Sequence, residues 1–348
     1  MKKALSLILA LGMTISLAAC GQNQAAVNTN STVANSTVAN STETVKEDPM
    51  VFGIAMPQLD NDGFKANLVG IKQFAEENNI ELIITDGKAS ADSQMQQVED
   101  LITKKVDAIV MCPVDSGAAA AAVVKANAAN IPVVSFDRNI SGGVLAGLAE
   151  SDNTAHGAAG ADLMKEAAEN SGMKVEDLIV LELLGTLSTT AGLQRHTGFS
   201  ERAMALGISI VAALPTEFKN DTAYNAVLDA FQANPNINAI FVPSDNALYS
   251  GVESALRQLG KLVPLGEKGH ILITTVDGGP QGLKGIRNHF IDAIASQSKL
   301  VMSEKAMDLA LMAAKGETIK ESIIRIQPTP VTITNVDDIT LWANAINQ

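Results

Sequence analysis

Three apolar runs in distant parts of the chain end in an acid at the same place. Residues 131–136 lead into Asp137-Arg138, residues 239–244 into Asp245, and residues 271–276 into Asp277-Gly278-Gly279. An ionised carboxylate only accepts hydrogen bonds, and a guanidinium donates to two oxygens at once. In open parallel sheets, ligands bind outside the carboxyl ends of the strands. Asp137, Arg138, Asp245 and Asp277 are therefore candidates to gather at one such edge. A plainer role competes, because an Asp after a strand often caps the next helix. That role suits Asp245, since residues 246–248 (NAL) start a helix directly. It suits Asp137-Arg138 less, since residues 139–143 (NISGG) read as a loop.

Patterns for bond-making chemistry are missing. The chain has no GxSxG, HExxH, Walker A or GxGxxG. Residues 244–246 (SDN) and 296–299 (SQSK) spell fragments of penicillin-binding motifs, but in reversed order, without Lys-Thr-Gly, and at expected strand ends. The histidines at 156, 196, 270 and 289 have no metal-ligand spacing. These readings predict a protein that is not an enzyme, with no cofactor and no metal.

The elements that must position the candidates alternate in type. Apolar runs at 51–56, 81–85, 108–112, 132–136, 145–149, 178–183, 209–214, 239–242, 271–276 and 292–295 read as strands. Amphipathic stretches at 65–78, 90–104, 117–129, 154–170, 189–206, 222–233, 247–259 and 300–315 read as helices, with Ser90 and Asp152 as N-caps. Such alternation predicts an α/β fold with parallel sheets. Ten strands over a 348-residue chain divide into two doubly wound sheets.

Charge and the N-terminus bound the setting. With 38 acidic against 25 basic residues, the net charge of -13 argues against a nucleic-acid partner. Residues 1–19 have a basic start and an uncharged apolar stretch, then Leu17-Ala18-Ala19 before Cys20, as in a bacterial lipoprotein signal. Cys20 is the expected lipidation site. Residues 20–49 read as a tether, with STVAN at 31–35 repeated at 36–40, too polar to bury a core. Cys112 ends an apolar run and is expected to be a buried thiol.

Residues 50 to about 335 resemble the periplasmic sugar-binding proteins of the ribose and galactose group, with the type I periplasmic-binding fold. The resemblance is carried by residues 52–57 (FGIAMP) with Asn61 and Phe64, 107–113 (DAIVMCP), 129–134 (ANIPVV) with Asp137-Arg138, 151–153 (SDN), Asp245, and 276–278 (VDG). It implies two doubly wound parallel-sheet lobes joined by a three-segment hinge at 151–153, 297–299 and 327–329. The N-terminal lobe would comprise 50–151 plus 298–328, and the C-terminal lobe 152–297 plus 329–348. It further implies ligand contacts by Asn61, Phe64, Asp137, Arg138, Phe218, Ser244, Asp277 and Gln297. The implied ligand is a monosaccharide or polyol, and the implied partners are an ABC permease and its ATPase, served by a monomeric, lipid-anchored, extracytoplasmic protein.

Hydroxyls both donate and accept, so carboxylates, Arg, Gln and Asn match them, while Phe rings cover the C–H faces. Trp342 is expected to pack against a lobe rather than stack on ligand. The chain departs from ribose binders at Gly63, where they have a second aromatic, at Leu193, where they often have Arg, and at Ser244, where they often have Asn. Arg195 is retained and reads as structural. These changes point away from ribose, toward a bulkier or less polar pentose, hexose, polyol or signalling sugar. A sensory protein that binds a sugar, autoinducer or nucleoside and reports to a chemoreceptor or kinase remains an alternative with the same fold. A LacI-type regulator is disfavoured, since it would need an N-terminal helix-turn-helix and no export signal.

Overall fold

The computed structural model describes residues 48–346. The expected signal segment, Cys20 and nearly all of the tether lie outside the described residues. The ten expected strands form: β1 (Met50–Met56), β2 (Ile80–Asp86), β3 (Ala108–Met111), β4 (Val133–Phe136), β5 (Gly147–Ser151), β6 (Ile179–Leu184), β7 (Ser209–Pro215), β8 (Ala239–Val242), β9 (Leu272–Asp277) and β10 (Ala293–Ser296). The helices are α1 (Asp62–Glu77), α2 (Ala91–Thr103), α3 (Ala119–Ala128), α4 (Asn153–Asn170), α5 (Thr190–Leu206), α6 (Asn220–Ala233), α7 (Asp245–Gln258), α8 (Pro280–Arg287), α9 (Lys299–Ala314) and α10 (Trp342–Ala345). Ser90 and Asp152 cap α2 and α4 as expected.

Sequence reasoning missed the shortest elements. The strands β11 (Ile323–Ile326) and β12 (Thr329–Val331) are edge strands with little burial, and Pro330 interrupts the apolar signal. An edge tolerates proline because no ladder donor is needed there. Helix α8 begins at Pro280 after two glycines, and proline at the first helical position costs nothing because its absent N–H would be unpaired anyway.

Two six-stranded sheets result, ordered β11-β5-β4-β3-β1-β2 and β12-β10-β9-β8-β6-β7. Every pairing is parallel except β10 with β12. Parallel neighbours need crossover helices, so each sheet is covered on both faces. In the first, Phe52, Ile54 and Met56 pack on the α1 and α9 side, and Ala55, Ile109 and Met111 on the α2 and α3 side. In the second, the rings of Phe199 and Phe241 stack 3.9 Å apart between α5 and β8. Each such fully buried side chain contributes about 1.5–3 kcal/mol. Cys112 is buried and free, and burial pushes its thiol pKa up.

The chain passes between the sheets three times, from β5 to α4, from β10 to α9, and from β11 to β12. Hydrogen bonds tie the crossings together: Ser151 Oγ donates to Gln297 Oε1 at 3.1 Å, Gln327 Nε2 to Asp152 Oδ2 at 3.1 Å, and Ser298 and Thr329 hydroxyls meet at 2.8 Å. The C-terminal α10 touches both α1 and α8, so the tail bears on both lobes. Trp342 is buried there, and its Nε1 donates to the Asp277 carbonyl at 2.8 Å.

His156 on α4 is fully buried, with Nδ1 2.8 Å from the Asp152 carbonyl. Burial lowers its pKa from 6.5 to about 4. Between those values the unfolded chain binds the extra proton, so stability falls as pH drops from about 6.5 toward 4. The loss across that window is about 3 kcal/mol, at about 1.4 kcal/mol per unit. His156→Gln is expected to flatten this acid limb in denaturant titrations at stepped pH. An unchanged limb would assign the acid sensitivity elsewhere.

Candidate functional site

The carboxyl ends of both sheets face a cavity of about 280 Å³, lined from the first sheet by Asp137, Arg138 and Ser151, and from the hinge by Gln297 and Lys299. Asn153, Arg195, Phe218, Ser244, Asp277 and the small residues Ala191 and Ala247 close it from the second side. A larger hollow of about 600 Å³ lies between α1, α9 and the tail; its walls are mostly apolar, with Gln73, Glu77, Glu304 and Thr340 among them, and it lies away from the carboxyl-end cluster of Asp137 and Asp277.

Asp137 follows β4 with φ of +62°, a left-handed conformation that Asp tolerates better than most residues. Its N–H donates to the Ala149 carbonyl at 2.9 Å, which pins the turn. Lys299 Nζ donates to Asp137 Oδ1 at 2.8 Å, and Arg138 Nε stands 4.0 Å from Oδ2. Burial alone would raise the Asp137 pKa, but Lys299 and then Arg138 overcome it and hold the carboxyl below its usual value. Arg138 is positioned by two carbonyls, Pro113 at 3.1 Å and Val114 at 3.3 Å, and its guanidinium lies 5.7 Å from the centre of the Phe64 ring.

Asp277 ends β9 with φ of +98°, a strained position for any side chain. Arg195 Nη1 lies 2.9 Å from Asp277 Oδ1, and Gln297 Nε2 and Ser244 Oγ also donate to the carboxylate. Burial pushes against ionisation, yet Arg195 and Ser244 lead the groups that keep its pKa low. Arg195 is only 5% exposed and also donates to Asn153 Oδ1 at 3.0 Å and to the Pro243 carbonyl at 2.6 Å. Phe218 rests on Gly185, where any side chain would take the space of the ring.

Six of the eight expected contact residues thus line one cavity: Asp137, Arg138, Phe218, Ser244, Asp277 and Gln297. Asn61 and Phe64 do not. Asn61 Oδ1 caps α1, accepting from the N–H groups of Gly63 at 2.9 Å and Phe64 at 3.3 Å, and the buried Phe64 ring backs Arg138. Ser244, not Asp245, caps α7, accepting from Ala247 N–H at 3.2 Å. Asp245 turns away from the cavity and holds the loop after β9, accepting from Thr275 Oγ1 at 2.9 Å, Gly278 N–H at 2.8 Å and Gly279 N–H at 2.7 Å. Burial and then Asp277 raise its pKa.

Ser151, Asn153, Arg195 and Lys299 line the cavity without having been singled out as contacts. Ser151, Asn153 and Lys299 belong to the expected hinge segments 151–153 and 297–299, and Arg195 is the retained arginine, but nothing in the local sequence marks any of them as facing a cavity. Leu193 is half exposed and does not line the cavity. Among the described residues, no group of three or more His, Cys, Asp or Glu is placed to hold a metal, and no helix is long and apolar enough to cross a membrane.

Residues 52–318 match the model of the periplasmic binding protein domain family. The ribose import binding protein of Bacillus subtilis is 28% identical over 325 residues, covering 93% of this chain and 97% of the relative. A D-apiose import binding protein of Actinobacillus succinogenes is 30% identical over 219 residues, covering 62% of this chain and 68% of its own length. Among solved structures, an ABC transporter periplasmic solute binding protein of Actinobacillus succinogenes with bound D-allose superposes with a TM-score of 0.70 at 26% identity, covering 83% of this chain and 99% of that one.

Proposed function

Because this chain belongs to the periplasmic binding protein domain family, we propose that it captures a monosaccharide or polyol outside the cytoplasm and delivers it to an ABC importer. It is a binding protein, not an enzyme. The observation that carries this reading is the convergence of paired acceptors and donors from two sheets and their hinge on one small cavity. Asp137 and Asp277 accept from ligand hydroxyls, Arg138 and Gln297 donate, Ser244 does both, and Phe218 covers a C–H face. Asn61 and Phe64 act from behind, fixing the start of α1 and the Arg138 guanidinium. At about 280 Å³ the cavity falls just below the range of roughly 300–1,000 Å³ for small-molecule sites, which suits a single sugar ring.

Selectivity follows from burial. A hydroxyl that finds no partner between the lobes leaves a buried polar group unpaired, at about 1–3 kcal/mol each. A thermal-shift screen over D-ribose, D-allose, D-apiose, D-arabinose, xylitol and myo-inositol tests the reading. A cognate ligand at a hundred times its dissociation constant adds about 2.7 kcal/mol and raises Tm by several degrees. Trp342, the single tryptophan, is bonded to the Asp277 carbonyl and serves as a fluorescence reporter in the same titrations. The departures at Gly63, Leu193 and Ser244 favour a ligand other than ribose. Tight ribose binding with silence toward the rest would reject that preference, and silence toward the whole panel would reject the sugar reading.

The reading also includes a monomer held to the membrane by a lipid on Cys20, supported by residues 17–20 (LAAC) and the uncharged stretch 22–42 that follows. Cys20→Ala is expected to move the protein from the membrane fraction to the soluble extracytoplasmic fraction. Continued membrane retention after high-salt washing would reject the anchor.

A further inference from the structure

Lys299 sits where local physics disfavours it. It is the first residue of α9, and a cation at a helix N-terminus opposes the helix dipole. It is 8% exposed, a rare state for lysine. Its stem passes beside Gly63, where an added Cβ would stand 3.7 Å from Lys299 Cε, at ordinary contact distance. The ammonium emerges in the cavity and gives one hydrogen to Asp137 Oδ1 at 2.8 Å. An ammonium has three N–H donors, and Asp137 is the acceptor it meets among the described residues. Of the other two cations of the cavity, Arg195 is the more committed, while Arg138 is held through Nη1 alone. Arg195 is held by Asn153, Pro243 and Asp277, and Arg138 by the Pro113 and Val114 carbonyls. Lys299 is the leading cation beside Asp137 but shares that role with Arg138, whose Nε stands 4.0 Å from the second oxygen.

We propose that Lys299 is a ligand-contacting, specificity-determining residue: its ammonium donates to one ligand oxygen while Asp137 accepts from the hydroxyl on the adjacent carbon, so the pair reads a vicinal diol. The proposal rests on the sugar or polyol reading above. It places a strong donor at the hinge, while the second lobe offers the small apolar residues Ala191 and Ala247 around its remaining polar groups. The ligand is therefore gripped hardest through the diol that faces Asp137 and Lys299.

Lys299→Met keeps the length of the stem and removes the ammonium. Calorimetry compares it with wild type on D-ribose, D-allose, D-arabinose, xylitol and myo-inositol, and then on the monodeoxy analogues of the tightest binder. The variant is expected to bind that parent about 30- to 100-fold more weakly. One particular deoxygenation should weaken wild type by a similar factor and leave the variant unaffected. Affinity within threefold of wild type overturns the proposal, as does an equal loss across the parent and every deoxy analogue, which marks a lysine that only holds Asp137. A wild type silent to the whole panel overturns the sugar reading and this proposal together. Should Lys299→Met fail to fold, Lys299→Arg keeps the charge and moves the donors. It is expected to change the rank order of the panel, and an unchanged order overturns the proposal.

Discussion

Replacing Asp137 with asparagine is expected to abolish the ligand-induced thermal shift while the unliganded protein stays folded. Asparagine is chosen because it tolerates the positive φ of this position nearly as well as aspartate does. The side chain keeps its size but loses its charge, and Lys299 loses its counterion. Hydrogen bonds to a charged acceptor contribute about 1.5–3 kcal/mol, and while the amide oxygen still accepts from Lys299, the N–H₂ replaces the second acceptor oxygen beside Arg138. A hundredfold loss of affinity follows from about 2.8 kcal/mol. A ligand concentration that stabilised wild type by about 2.7 kcal/mol would then stabilise the variant by only about 0.4 kcal/mol. Lys299 lines a cavity, so water relieves part of its unpaired charge and the unliganded fold survives. A folded Asp137→Asn protein with the full wild-type shift would remove this carboxylate from the binding site.

Arg195→Met is expected to produce the largest loss of stability. The methionine retains packing between α4 and α5, but Asp277 is left nearly buried without its cation, at a backbone position that is already strained. Breaking a buried pair from one side costs about 3–5 kcal/mol, because the remaining charge is uncompensated. The pH dependence identifies the cause. In wild type the Asp277 pKa is lowered, so its contribution is present above the unfolded value and is lost as pH falls through the folded one. In the variant, burial wins and the pKa rises, so Asp277 takes up a proton as pH falls. The gap between wild type and variant should therefore narrow from pH 7 to pH 4 in denaturant titrations. Arg195→Met combined with Asp277→Asn should recover part of the loss. A gap that is constant with pH, or a double variant as unstable as the sum of the two single ones, would show that the ion pair is not the cause.

The fold was legible because its signals are local and repeated. Ten apolar runs separated by amphipathic stretches leave little choice but parallel sheets with crossover helices, and all ten became strands. What escaped was short or broken by proline: β11, β12 and α8 contain too few residues to show a period. The candidate site was legible in part, through strand-end acids. Of the three acids singled out, Asp137 and Asp277 reach the cavity and Asp245 does not, because its carboxylate is used by the amides of Gly278 and Gly279. All three look alike in sequence, since each follows an apolar run, and the difference arises from a loop some thirty residues away.

The amino-acid sequence by itself determined where strands and helices begin, which strand ends carry carboxylates, and the acidic balance that disfavours nucleic acid. Those properties are set by neighbours a few residues apart. Only the tertiary structure decided that Lys299 meets Asp137, that Arg195 neutralises Asp277, and that Trp342 reaches back to the Asp277 carbonyl. These partners are separated by 162, 82 and 65 positions. Their pairing depends on three chain crossings that bring two sheets edge to edge, and no local periodicity encodes which groups then face one another.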